Sequence, residues 1–164
     1  MSAYTEVIQV IGAMIIFSLI LLSTNRFILS NTERQVETEV EMLGVTLAQD
    51  LIDEARMKAF DEETKNGFIP INVPGDFEDP DFPGSSASCS DPNIDSFSNY
   101  DDCEEEISTN LGPFTIRADV HYADGTNYEE TTSKTRHKRI TVTVDNPYLT
   151  HPITIRYLRS YNHD

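Results

Sequence analysis

Between Asn66 and Ile116 the chain has no lysine or arginine, and between Val7 and Asn25 it has no charge of either sign. Both gaps sit in a 164-residue chain with 28 acidic and 12 basic side chains, a formal charge of −16. Nucleic-acid binding needs clustered cations to neutralise phosphates. The one basic run, Lys134-Thr135-Arg136-His137-Lys138-Arg139, is too short to supply them. No nucleic-acid partner is expected. Catalysis has as little to stand on. The four histidines (His121, His137, His151, His163) show no metal-ligand spacing, and there is no nucleophile elbow or phosphate-cradling glycine loop. Two cysteines with no nearby histidine make no zinc site. The expectation is a protein that is not an enzyme.

What is present begins with an apolar N-terminus. The nineteen uncharged residues 7–25 would rise about 28 Å as a helix, close to the ~30 Å hydrocarbon thickness of a bilayer. A cleaved secretory signal is the competing reading. Against it stand the missing basic n-region, a run longer than the usual ~7–15 residues, and the lack of a small-residue cleavage site. The segment reads as a retained membrane helix. Arg26 and Arg34 follow the run, opposite to the positive-inside expectation, and a removed leader carrying Lys or Arg would restore it.

The helical signal continues past the membrane length. From Ser2 to Glu63 there is no proline, and the only glycines are Gly12 and Gly44. Val36, Val40, Leu43, Leu47, Leu51 and Ala55 form one helical stripe, opposite a solvated face of Glu33, Glu37, Glu41, Asp50 and Glu54. The stripe fits a helix covering a domain core or a seam for a partner helix, and different sectors can serve each. A helix over about residues 2–62 would span roughly 90 Å. Its hydrophobic half is residues 1–29 and its amphipathic half residues 30–65. Asn66-Gly67 is the stop signal.

Residues 66–112 read as an acidic loop region holding five of the eight prolines: Pro70, Pro74, Pro80, Pro83 and Pro92. Cys89 and Cys103, the only cysteine pair, would restrain it as a disulfide, with two free thiols as the alternative. Closing about fifteen residues would stabilise by roughly 3 kcal/mol. Within that closure, residues 90–102 show little periodic apolar sequence and are expected to add little to the core. Asp91, Asn93, Asp95, Asn99 and Asp102 occupy oxygen-ligand positions of a twelve-residue calcium loop. Ser96 replaces its glycine, however, and Asp102 its bidentate glutamate. A solvated acidic loop is the competing reading, and no other cofactor is expected.

Residues 113–164 change to a period of two. Phe114, Ile116, Ala118, Val120 and Tyr122 alternate with polar residues, and Ala123-Asp124-Gly125-Thr126 is a hairpin-type turn. Ile140, Val142 and Val144, then Ile153, Ile155 and Tyr157, repeat the alternation. This is an antiparallel β-meander with one buried face, whose natural cover is the helix near residues 36–60. The predicted class is α+β.

A hydrophobic N-terminal helix with one early acid, an amphipathic continuation, a variable loop and a closing antiparallel sheet resembles the type IV pilin superfamily. The acid is Glu6, alone between Met1 and Asn25. With Met1 removed it would be the fifth residue, where that family carries its glutamate. Lys138-Arg139-Ile140-Thr141-Val142-Thr143-Val144 and Ile153-Thr154-Ile155-Arg156-Tyr157 resemble the closing strands of minor pilins. Three features depart from the family: the sequence has no short basic leader ending in Gly, Phe is not the first residue, and the first half of the helix lacks proline. Residues 2–60 are therefore expected to stay helical throughout.

An acid at bilayer depth is expensive and suggests function, and near a helix N-terminus it gains from the macrodipole. The resemblance implies that Glu6 pairs with the α-amine of a neighbouring subunit during assembly; simple exposure to lipid headgroups is the alternative. It further implies a pilin, minor pilin or pseudopilin-like filament subunit. Such a subunit rests in the inner membrane, meets pilus assembly machinery, and forms a homo-oligomeric helical filament outside the cell. A monomeric membrane-anchored binding module, with calcium in the acidic loop, is the reading of a different class.

Overall fold

A computed structural model describes residues 2–67, 69–80, 82 and 88–162; Met1, Pro83 and His163, named above, lie outside them. Most of the proline-free run forms a single helix, α1 (Ser2–Met57). The chain divides into two compact units, residues 1–39 and 40–164. In the first unit no described side chain is buried, and the buried core begins at Val40.

In the second unit the end of α1 packs on an antiparallel sheet of five strands: β1 (Cys103–Thr109), β2 (Gly112–Ala123), β3 (Glu130–Thr131), β4 (His137–Asp145) and β5 (Ile153–Ser160). The order is β1-β2-β4-β5, with the short β3 also paired to β2. The period-two pattern places its apolar residues as expected. Phe114, Ile116, Ala118, Val120 and Tyr122 are buried, and Ile116, Ala118 and Val120 stand opposite Val144, Val142 and Ile140. Each large side chain removed from water in this way contributes roughly 1.5–3 kcal/mol. The fold is α+β, with a long N-terminal helix whose C-terminal part covers an antiparallel sheet.

Four details differ from the sequence expectation, each for a physical reason. The α-helix ends at Met57, not near residue 62. There the chain turns to pair with the 95–97 segment: the Ala59 amide donates to the Asp95 carbonyl (3.1 Å) and the Phe97 amide to the Ala59 carbonyl (2.8 Å). Arg159 on β5 satisfies the carbonyls left at the helix end, reaching Ala55 (3.3 Å), Lys58 (2.8 Å) and Ala59 (3.3 Å). The Asn66-Gly67 signal instead ends a 3-10 helix over Glu62–Gly67, with Gly67 at φ 74°.

The sheet also starts earlier than residue 113. Glu104-Glu105-Glu106 lies in strand β1, where antiparallel register sets Glu104 opposite Arg117 and the two side chains pair at 2.5 Å. The residues of α1 that reach the core are Val40, Gly44, Ala48, Leu51, Ile52 and Ala55, while Leu43 and Leu47 are half-buried beside them. Small residues lie at the centre because the sheet approaches closely. A Cβ at Gly44 would stand 2.6 Å from Ile153 Cδ1, 3.6 Å from Val144 and 3.7 Å from Phe114. Finally, the loop that looked non-periodic supplies core after all: Ile94, Phe97 and Tyr100 are buried.

Candidate functional site

Three places carry the sequence-derived candidates. The first is the apolar half of α1. Every large apolar side chain from Tyr4 to Leu29 is exposed, and the exposed set includes Val7, Ile8, Val10 and Ile11, which point in different directions around the helix. An eighteen-residue window here reaches mean hydropathy 2.4 with none of it buried. The helix is long and apolar enough to cross a membrane. Its hydroxyls suit apolar surroundings: Ser18 donates to the Met14 carbonyl (2.8 Å) and Thr24 to that of Ile20 (2.9 Å). Glu6 sits exposed in this surface with no cation beside it among the described residues.

The second place is the loop ahead of β1. Cys89 and Cys103 form a disulfide, with Cα atoms 5.1 Å apart and both residues buried. The bond pins the loop to the first residue of β1. Three of the five calcium-loop candidates make local contacts through a side-chain oxygen. Asp91 Oδ1 accepts from the backbone and side-chain nitrogens of Asn93 (2.8 and 2.7 Å), and Asp95 pairs with Lys65. Ser96 donates to Asn99, while Asp102 is exposed at a positive φ of 54°. Among the described residues no group of three or more His, Cys, Asp or Glu side chains is placed to hold a metal ion. The described histidines are dispersed: His121 faces Glu130 at 3.9 Å, His137 Nδ1 meets Ser160 Oγ at 2.8 Å, and His151 is exposed.

The third place was not singled out in the sequence. Lys138, a member of the basic run 134–139, is fully buried. Its ammonium donates to Asp61 Oδ2 (2.5 Å), Glu78 Oε1 (3.1 Å), the Phe60 carbonyl (3.4 Å) and Ser98 Oγ. The rings of Phe82, Tyr122 and Phe60 stand 4.7, 4.9 and 5.0 Å from it. Asp61 is equally buried, and its Oδ1 accepts the backbone N–H groups of Glu63 (3.1 Å) and Glu78 (3.2 Å). The Tyr122 hydroxyl donates to the Glu78 carbonyl (2.9 Å) and lies 3.3 Å from Asp61 Oδ2. Burial, followed by the charges of Asp61 and Glu78, drives the Tyr122 phenol well above its ordinary range. The signal for this cluster was in the sequence. Counting back by two from Val142 and Ile140 puts Lys138 on the buried face of β4.

The rest of the basic run is also dispersed. Lys134 holds Asp79 (2.9 Å) and the Phe77 carbonyl (2.6 Å), and Arg139 faces Glu129 at 3.5 Å. Comparison with protein-family models, with curated proteins and with solved structures finds no match.

Proposed function

We propose that this chain is a structural subunit of an extracellular type IV pilus-like filament, held in the inner membrane until assembly. The observation that carries the reading is the surface of α1 from Tyr4 to Leu22, apolar around the helix with a single charge at Glu6. A helix apolar all round must be covered by lipid or protein. Lipid covers it before assembly, and copies of the same helix cover it afterwards.

Glu6 then acts in assembly. A carboxylate in such a bundle needs a cation at the same depth, and a neighbouring subunit's N-terminus repeats there in a homo-oligomer. A slipped register leaves both charges unpaired at a cost of several kcal/mol. The test is electron microscopy of sheared surface material from cells carrying Glu6→Ala. The expected result is a folded, membrane-inserted protein with few filaments, while Glu33→Ala assembles normally. Normal filament yield from Glu6→Ala refutes the pairing, and cells that never build filaments from this chain favour a monomeric membrane-anchored module.

A further inference from the structure

We infer that Lys138 and Asp61 join in an intramolecular amide, formed by the folded chain itself with Glu78 as proton carrier. The inference stands on the buried cluster alone and does not depend on filament assembly. Amine and carboxyl groups condense slowly in water because they are solvated and far apart. Here Nζ is 2.5 Å from Asp61 Oδ2, one bond from the carbon it must attack, and neither side chain has any exposure. Holding reacting groups in contact in this way replaces an encounter by an effectively unimolecular step.

The surroundings are arranged for each stage. A proton passes from the ammonium to Asp61 Oδ2, which turns a buried ion pair into amine and acid and relieves the burial of two charges. The Nζ lone pair then forms a bond to Asp61 Cγ, and the C=O electron pair moves onto Oδ1. That oxygen already accepts the N–H groups of Glu63 and Glu78, two fixed donors aimed at the developing negative charge. Glu78 Oε1, 3.1 Å from Nζ, removes a proton from the now cationic nitrogen and delivers it to the Oδ2 hydroxyl. The C–Oδ2 bond breaks, water leaves, and Oδ1 returns to a carbonyl. An ammonium and a carboxylate have become an amide and one water, with Glu78 restored and no redox change.

Glu78 is the one slightly exposed member of the three, which gives the water a way out. The product is a neutral amide packed among Phe60, Phe82 and Tyr122, where an ion pair is costly to keep. The bond would tie the segment after α1 to strand β4 across 77 residues of sequence, so the chain between them could not be drawn out.

Mass spectrometry of the full chain, purified in detergent with its disulfide intact, tests this. The expected mass is lower than that of the disulfide-bonded sequence by one water. Trypsin should then release a branched species joining residues 59–65 to residues 137–139, because an amide at Lys138 blocks cleavage there. Glu78→Gln preserves shape and polarity, so it should fold, melt cooperatively and keep the full mass. A native chain at full mass, or a water loss not carried by that branched peptide, overturns the cross-link. A folded Glu78→Gln chain that cross-links as completely as the native one overturns the role of Glu78.

Discussion

Asp101 shows how one side chain can serve the fold and weaken it together. Its Oδ1 accepts the Val120 amide at 2.7 Å, filling the gap on the β2 edge between the segments paired with β1 and with β3. Burial raises its pKa, against the lowering effects of that hydrogen bond and of His121. A carboxyl whose native pKa is raised binds more protons folded than unfolded. Its contribution is therefore greatest in acid and is lost as pH rises through the native titration. Asp101→Asn keeps an acceptor for Val120 and removes the desolvated charge. The variant is expected to be more stable than the native chain at neutral pH, with the difference shrinking as acid protonates Asp101. Denaturant midpoints measured across pH check this, and a gap that widens in acid contradicts it. The sequence alone gave no warning here, because Asp101 sits in an acidic run where every member looks solvated.

Elements were legible where their period was carried by large side chains, and illegible where small or charged residues did the same work. Strands β2 and β4 announced themselves through Val, Ile and Phe at alternate positions. β1 did not, because its three glutamates hide an alternation of Cys103, Glu105 and Ile107 that is completed only by pairing with β2. The end of α1 could not be read either, since no breaker sits at Met57. The signals that end it, the 95–97 segment and Arg159, are remote in sequence. The stripe on α1 was displaced for the same reason: Leu43 and Leu47 attract notice, yet Gly44 and Ala48 make the closest approach. Gly44→Leu is accordingly expected to lower stability by about 1–3 kcal/mol, because the sheet stands where its side chain would go. Gly44→Ala should be milder, since the nearest atom is the movable end of Ile153 and alanine gains helix propensity. Thermal melting of both variants checks the ranking. The disulfide is an element-scale device as well. It closes a separation of 14 residues that includes buried Ile94, Phe97 and Tyr100. Replacing both cysteines by serine should therefore cost about 3 kcal/mol and destabilise the sheet along with the loop. Two separate transitions, with the sheet melting at its native temperature, would show the loop to be independent.

At the scale of the molecule, the two halves of the chain solve opposite problems. Residues 4–29 expose apolar surface that only lipid or other chains can cover, whereas every buried core residue among those described lies at Val40 or beyond. The buried core belongs to the second unit. It is assembled from the end of α1, the disulfide-tied loop, the Lys138 cluster and four main strands, with β3 as a short addition. The acidic excess adds a second asymmetry: residues 66–116 hold eleven acids and no Lys or Arg, a charge of one sign that favours solubility and opposes self-association. A fragment covering residues 30–164 should then fold without detergent, remain monomeric, and unfold cooperatively with the disulfide formed. The full chain should require detergent or assembly. Circular dichroism and size-exclusion chromatography of the fragment decide the point. A monomeric, sheet-containing fragment places self-association in the N-terminal segment. An aggregated or unfolded one means that residues 1–29 support the domain in a way its buried core does not reveal.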